Sequence, residues 1–194
     1  MSTRRHWRAG ALESPRSGRK TVAHSVSCGY RIAPESPQPR QGRKVMAHTY
    51  TNLLTHFIFS TKDRQALITP ALHEDLLAYM GGILRELGAT LRAANARPDH
   101  VHLLCSLPPT LATADAMRVV KANSSRGVHD IRSYRGFDWQ TGYGAFSVSA
   151  SQAPAVMRYI RDQEKHHRKV TFQEEFLAFL VKNGIAYDER YIWS

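Results

Sequence analysis

Pro98-Asp99-His100-Val101-His102-Leu103-Leu104-Cys105-Ser106-Leu107 is the stretch from which the fold can be read. It is short and apolar-rich, follows a Pro-Asp turn signal, and stops at Pro108-Pro109, where the backbone can no longer donate to a ladder. Those are the marks of a β-strand. Strand side chains alternate between faces, so His100 and His102 point the same way and Val101 points to the other side. Two imidazoles about 7 Å apart along a strand can converge on one divalent metal or one phosphate. They can equally be two ordinary histidines on a half-solvated face, and the spacing alone leaves both readings open.

Working outward, Thr51 to Thr61 is rich in β-branched and aromatic residues and partly alternating, which predicts a first strand containing His56. Thr69-Pro70 opens a helix with a cap followed by a first-turn proline. Leu72, Leu76, Leu77, Met80, Ile83, Leu84 and Leu87 form its apolar stripe, and Gly88 ends it. Residues 89 to 96 make a second strand, joined to the His-Val-His strand by the Arg97-Pro98-Asp99 turn. A second helix spans about Thr113 to Ile131, although Asn123-Ser124-Ser125 is poor helix material and predicts a kink or break. An aromatic, glycine-punctuated loop from Phe137 to Gly144 leads to a fourth strand, Ala145 to Ala150, with one wet face. Pro154 opens a third helix to about Lys169, and Thr171-Phe172-Gln173-Glu174 starts a fourth that Asn183-Gly184 closes. The order predicts an α/β sandwich: a ferredoxin-like split βαβ antiparallel sheet with helices on one face and the other face open.

Charge divides the 194 residues unevenly. Residues 1 to 45 hold ten Lys or Arg against two acidic groups, whereas residues 46 to 194 hold seventeen against fourteen, so +8 of the net +11 lies in the first quarter. That basic extension is poor in large apolar residues and shows no period, which predicts disorder. It is either an arm that attracts nucleic acid or the product of a start codon assigned too early, since Met46 stands just before the first patterned segment. The domain proper is expected at 46–194. No apolar leader core and no run of 18 apolar residues is present, so neither secretion nor a membrane span is expected. Two cysteines, Cys28 and Cys105, are too few for a disulfide framework or a Cys-rich zinc site and fit a reducing cytosol.

The third predicted helix carries Tyr159-Ile160-Arg161-Asp162-Gln163-Glu164-Lys165-His166-His167. Tyr159, Gln163 and His166 fall at i, i+4 and i+7 on one face. Tyr159 could simply pack there as an amphipathic residue. If this helix lies beside His100 and His102, however, two imidazoles and the Gln163 amide can hold a divalent cation, Mn²⁺ or Mg²⁺, with coordination positions left for a phosphodiester. Tyr159 would then be an in-line nucleophile needing activation, because a phenol of pKa near 10 is about 0.1 per cent ionised at pH 7. A tyrosine ester retains the bond energy for rejoining; water as nucleophile would lose it.

At these residues the chain resembles the HUH single-tyrosine transposases, in which a histidine-hydrophobic-histidine motif is followed by a helical tyrosine and glutamine four apart. Within them it is most similar to the REP-associated tyrosine transposase branch, through Asp99 to Leu104, Trp139 to Ser149, Tyr159 to Gln163 and Glu164 to Lys169. The resemblance runs from about Met46 to Trp193 and leaves out the basic extension. It implies a cytoplasmic, metal-dependent DNA strand transferase acting on single-stranded or hairpin DNA through a 5′-phosphotyrosine. Tyr159 would be the nucleophile and His100, His102 and Gln163 the metal ligands. Apart from the resemblance, His166 and His167 are also eligible as ligands or bases and otherwise stand close by as orienting groups, and His56, a lone strand histidine beside the pair, reads as structural. Tyr143 is a rival nucleophile without the glutamine partner. The resemblance admits monomers and homodimers, the latter able to pair one chain's tyrosine helix with the other's histidines.

Arg118, Lys121 and Arg126 on the second helix, with Arg158, Arg161, Lys165, Arg168 and Lys169 near the tyrosine, could form a basic rim for a DNA backbone or simply a solvated face. Trp139 and Tyr143 could stack on an unpaired base or pack against the strand they precede. The competing readings are a non-catalytic single-stranded nucleic-acid-binding module on the same fold, and a metal phosphodiesterase that uses water.

Overall fold

A computed structural model describes residues 50–193. The strands are β1 (Leu53–Ser60), β2 (Thr90–Ala96), β3 (His100–Leu107) and β4 (Gly144–Val148), and the helices are α1 (Pro70–Glu86), α2 (Thr113–Arg132), α3 (Ala153–Arg161), α4 (Gln163–His166) and α5 (Phe172–Lys182). The sheet is antiparallel throughout, in the order β2-β3-β1-β4. Each β-α-β passage therefore skips one strand, and the intervening strand fills the gap from the opposite direction. This is the split βαβ arrangement expected from the order of elements. The basic extension, residues 1–45, lies outside the described residues.

Alternation along β3 separates the two faces. Val101, Leu103, Cys105 and Leu107, with Phe57 and Phe59 of β1, join Leu72, Leu76, Met80 and Leu84 of α1 and Ala116, Met117, Val120 and Val128 of α2 in the main core. Both crossover helices lie on this one face, as two crossovers of the same hand require. Gly88, with φ +73, turns the chain from α1 into β2 in a conformation that a side chain would strain.

The second face is not open, and here the expectation of helices on one face alone is corrected. Ile160 of α3 packs with Leu54 and Leu104, and Phe172 and Leu180 of α5 pack with Ile58 and Phe146. The residues after β4 are apolar on one side of each helix, and that side has nowhere to go but the remaining sheet face. Two helix expectations also change. The serine-rich middle of α2 does not break it. Ser124 Oγ accepts the Trp139 indole N–H at 3.0 Å, and Ser125 Oγ donates to the Phe137 carbonyl at 3.3 Å, so the poor helix formers fasten the aromatic loop. The single third helix is instead two, divided at Asp162 (φ −89°, ψ 15°).

Cys105 is fully enclosed in the main core, and burial pushes its thiol up to about 12. Iodoacetamide at pH 8 should leave it unmodified in the native protein and alkylate it in denaturant, as read by peptide mass mapping; rapid native labelling would show that the β3–α2 packing opens.

Candidate metal and tyrosine site

The β1–β3 register pairs Ser60 with His100, Ile58 with His102 and His56 with Leu104. Those residues share the second face, so three histidines gather there from two adjacent strands. All three are buried. His56 Nε2 lies 3.1 Å from His102 Nδ1, placing His56 behind His102 as its orienting partner. Asp99 Oδ1 accepts from His100 Nδ1 at 2.7 Å and fixes that ring in the same manner.

The tyrosine helix is set on this face by Ile160 and by Asn95 of β2. Asn95 Nδ2 donates to the carbonyls of Ile160 at 2.8 Å and Arg161 at 3.2 Å, which the break at Asp162 leaves unused. Tyr159 and Gln163 thus flank a pinned break. The Tyr159 ring centre is 6.1 Å from that of His102 and 5.2 Å from that of His166. The phenol, the imidazoles and the carboxamide face one another within a single chain.

At their centre stands Glu175, which sequence reasoning missed. A capping box at Thr171, in which its side chain accepts from Glu174 N and the Glu174 carboxylate accepts from Thr171 N, starts α5. One turn later Glu175 is only 3% exposed. Its Oε1 accepts from the Tyr159 hydroxyl and, at 3.1 Å, from Gln163 Nε2. Its Oε2 lies 3.4 Å from His102 Nε2 and 3.3 Å from His167 Nε2, and Oε1 is 3.4 Å from His166 Nε2. A signal was present: Phe172, Glu175, Phe176 and Phe179 follow helical spacing, which puts a carboxyl on an apolar stripe.

Burial sets the charges. It lowers His56 and His167 to about 4, lowers His100 against the pull of Asp99, and takes His102 well below the usual imidazole range. It raises Glu175 to about 8, with the Asp99 charge adding to the effect. Asp99 is the exception: burial would raise it, but its hydrogen bond with His100 keeps it low. Neutral imidazoles suit a metal ion better than an ion pair.

The donor set fits a metal ion. Ligand atoms of His100, His102, His167 and Glu175 lie within 4.8 Å of one another, in a cluster that could hold one ion. His102 Nε2, Gln163 Oε1, His166 Nε2 and Glu175 Oε2 are buried with no hydrogen-bond partner. Such orphaned atoms are uncommon in folded proteins, and a cation would satisfy several at once. A cavity of about 470 Å³, lined by His56, Val156, Tyr159, His166, Phe179 and Lys182 among others, leads to the phenol and to Glu175.

The other expected residues separate. Arg161 and Lys165 are exposed beside the tyrosine segment, with Lys165 3.9 Å from Asp162. Arg118 and Arg126 are exposed on α2, on the opposite side of the sheet from His100, and reach Asp115 and Asn123 at 3.1 and 2.7 Å. Two expectations are corrected. Trp139 offers no face to a base: it is 6% exposed, edge-on to Phe59 and Phe137 in the main core. Lys121 is committed to the loop, its Nζ donating to the carbonyls of Gln140, Thr141 and Gly142, and burial lowers it to about 8. Tyr143 sits 6.4 Å from Phe57, a main-core residue, and lines cavities other than the one at Tyr159.

The split βαβ sheet thus carries two strand histidines and a helical tyrosine on one face. The family model described as "Transposase IS200 like" matches residues 49–163, more than half of the chain. The chain belongs to the IS200-like transposase family, whose activity is DNA processing. It is 25% identical over 114 residues to the ISDra2 transposase TnpA of Deinococcus radiodurans, a match covering 56% of this chain and 81% of that protein. Among solved structures, it is similar to a transposase candidate from Deinococcus radiodurans at 24% identity and a TM-score of 0.49, covering 60% of this chain and 95% of that one. It is also similar to a REP-associated tyrosine transposase bound to a REP hairpin, at 16% identity and a TM-score of 0.49, covering 64% and 74%. Among the described residues no helix is long and apolar enough to cross a membrane.

The Thr171 cap anchors the helix that delivers Glu175. Thr171→Ala should cost about 1 kcal/mol of stability, seen as a lower urea midpoint at unchanged slope.

Proposed function

We propose that residues 46–194 form a single-tyrosine transposase domain that cleaves and rejoins single-stranded or hairpin DNA through a 5′-phosphotyrosine. The observation that carries this reading is the meeting of the Tyr159 hydroxyl with a buried, metal-competent cluster in one chain. His100, His102 and Gln163 hold a divalent ion, Mn²⁺ or Mg²⁺, with His56 and Asp99 orienting the imidazoles and His166 beside the phenol. An ion bound there would neutralise charge on the non-bridging oxygens of the scissile phosphate.

Tyr159 supplies the nucleophile. Its oxygen forms the new bond to phosphorus while the bond from phosphorus to the 3′ oxygen breaks. With Glu175 in its carboxylate form, which a pKa raised to about 8 favours at mildly alkaline pH, the phenol proton passes along the hydrogen bond to Oε1, and that proton then caps the departing 3′ oxygen as a free hydroxyl. Attack of a 3′-OH on the phosphotyrosine reverses these steps and rejoins the strand. Arg161 and Lys165 meet the backbone near the cut, and Arg118 and Arg126 meet DNA that continues around the sheet to the α2 face. A cytoplasmic location on chromosomal DNA goes with this activity. A module that merely bound nucleic acid would have no use for a nucleophile hydrogen-bonded beside four orphaned donor atoms.

Two measurements test the reading. Tyr159→Phe should abolish the denaturant-resistant protein–DNA band formed on a labelled hairpin with Mn²⁺, while changing DNA affinity less than about threefold; a persisting adduct would exclude Tyr159. Replacing both Arg161 and Lys165 by alanine should weaken binding to single-stranded DNA and reduce the slope of log K against log salt by about 1.4, and an unchanged slope would remove them from the interface.

A further inference from the structure

The hydrogen bonds around the site define which lone pairs point inward. Val170 O, which can only accept, lies 2.9 Å from His167 Nδ1, so that nitrogen carries the ring proton and Nε2 of the neutral ring is bare. The Asp99 carboxylate fixes His100 in the same tautomer, at 2.7 Å from its Nδ1. The two bare Nε2 atoms face each other at 2.9 Å. Two lone pairs at that separation repel unless they share a proton or a cation lies beside them. Glu175 Oε2 has no hydrogen-bond partner and is 3.3 Å from His167 Nε2 and 3.4 Å from His102 Nε2. Ligands about 2.1 Å from a shared ion stand at most about 4.2 Å apart. The observed spread of 4.8 Å therefore closes with small side-chain movements.

We propose that His167 and Glu175 are further direct ligands of the ion held by His100, His102 and Gln163, so that three imidazoles and one carboxylate bear on it. This rests on the reading of the histidine pair as a metal site and adds to it. Gln163, whose Nε2 donates to Glu175 Oε1, orients the carboxylate while its own carbonyl oxygen stays available. Three nitrogens and one charged oxygen favour a borderline transition ion such as Mn²⁺ over Mg²⁺, which prefers oxygen and keeps its waters. The same carboxylate holds the Tyr159 hydroxyl through its other oxygen, so one residue links the ion to the nucleophile.

The full chain, stripped by chelator and titrated with Mn²⁺ in a calorimeter, tests this without any turnover. Glu175→Gln and His167→Ala should each weaken Mn²⁺ binding at least about tenfold, the lower end of what losing even a supporting residue costs, with circular dichroism unchanged. Unaltered affinity in both, alongside loss of binding in His102→Ala, would overturn the assignment of His167 and Glu175 and leave the transposase reading standing. Unaltered affinity in His102→Ala as well would remove the metal site itself. His167 is nearer the surface than Glu175, so its variant decides the matter if Glu175→Gln does not fold.

Discussion

The pairing of β1 with β3 is the constraint on which everything at the site depends. Side chains alternate at each residue, so a slip of β3 by one position would send His100 and His102 into the α1–α2 core and bring Val101 and Leu103 out. The apolar residues between the histidines forbid that slip. Val101, Leu103 and Cys105 are fully buried against α1 and α2, and Phe57 and Phe59 join them from β1. The same hydrophobic burial that stabilises the main core thus holds the imidazoles at fixed positions on the reverse face.

Leaving polar atoms buried without partners is costly, about 1–3 kcal/mol for each group. Four such atoms at one site stand against a total stability of about 5–15 kcal/mol for a domain of ordinary size. Lowered histidine pKa values and a raised Glu175 reduce the expense by removing charge, yet they leave the lone pairs unused. A cation bound by those lone pairs recovers hydrogen-bond-like energy that the protein alone cannot supply, so the economy of the cluster itself favours a bound ion.

Much of this was legible in the sequence because it rests on local rules. Strand alternation put His100 and His102 together, the Thr69-Pro70 and Thr171-to-Glu174 starts located two helices, and glycine stops ended them. Non-local effects were not legible. The covering of the second face depends on helices packing across the sheet, and single-residue periodicity cannot say which face an amphipathic helix chooses. The break at Asp162 depends on Asn95 some 65 positions away receiving the freed carbonyls. Trp139 and Lys121 looked available for DNA because aromatic and basic residues in a loop usually are, but Ser124 and three loop carbonyls claim them. Glu175 went unnoticed because a glutamate after a capping box ordinarily serves the helix end; only its place on the Phe172–Phe179 stripe set it apart.

The two faces divide the labour, and this explains how the site can be so polar. The α1–α2 side joins apolar residues from both helices, β1 and β3 in one continuous core, while among the described residues the other side holds two smaller apolar clusters, around Ile58 and around Ile160. Stability resting mainly on the first face leaves the second free to accept a histidine cluster, a buried carboxyl and a strand-bound tyrosine segment. The small clusters then have a different purpose: Ile160 and Phe172 contribute modest burial but lie next to Tyr159 and His100, where they set the angle of α3 and the depth of α5. Because three separate elements after β4 approach the imidazoles, the nucleophile and the donors are joined by packing rather than by chain connectivity. Glu175, hydrogen-bonded to the phenol on one oxygen and facing the imidazoles with the other, helps make their distance a property of the site instead of the average of two loosely docked layers.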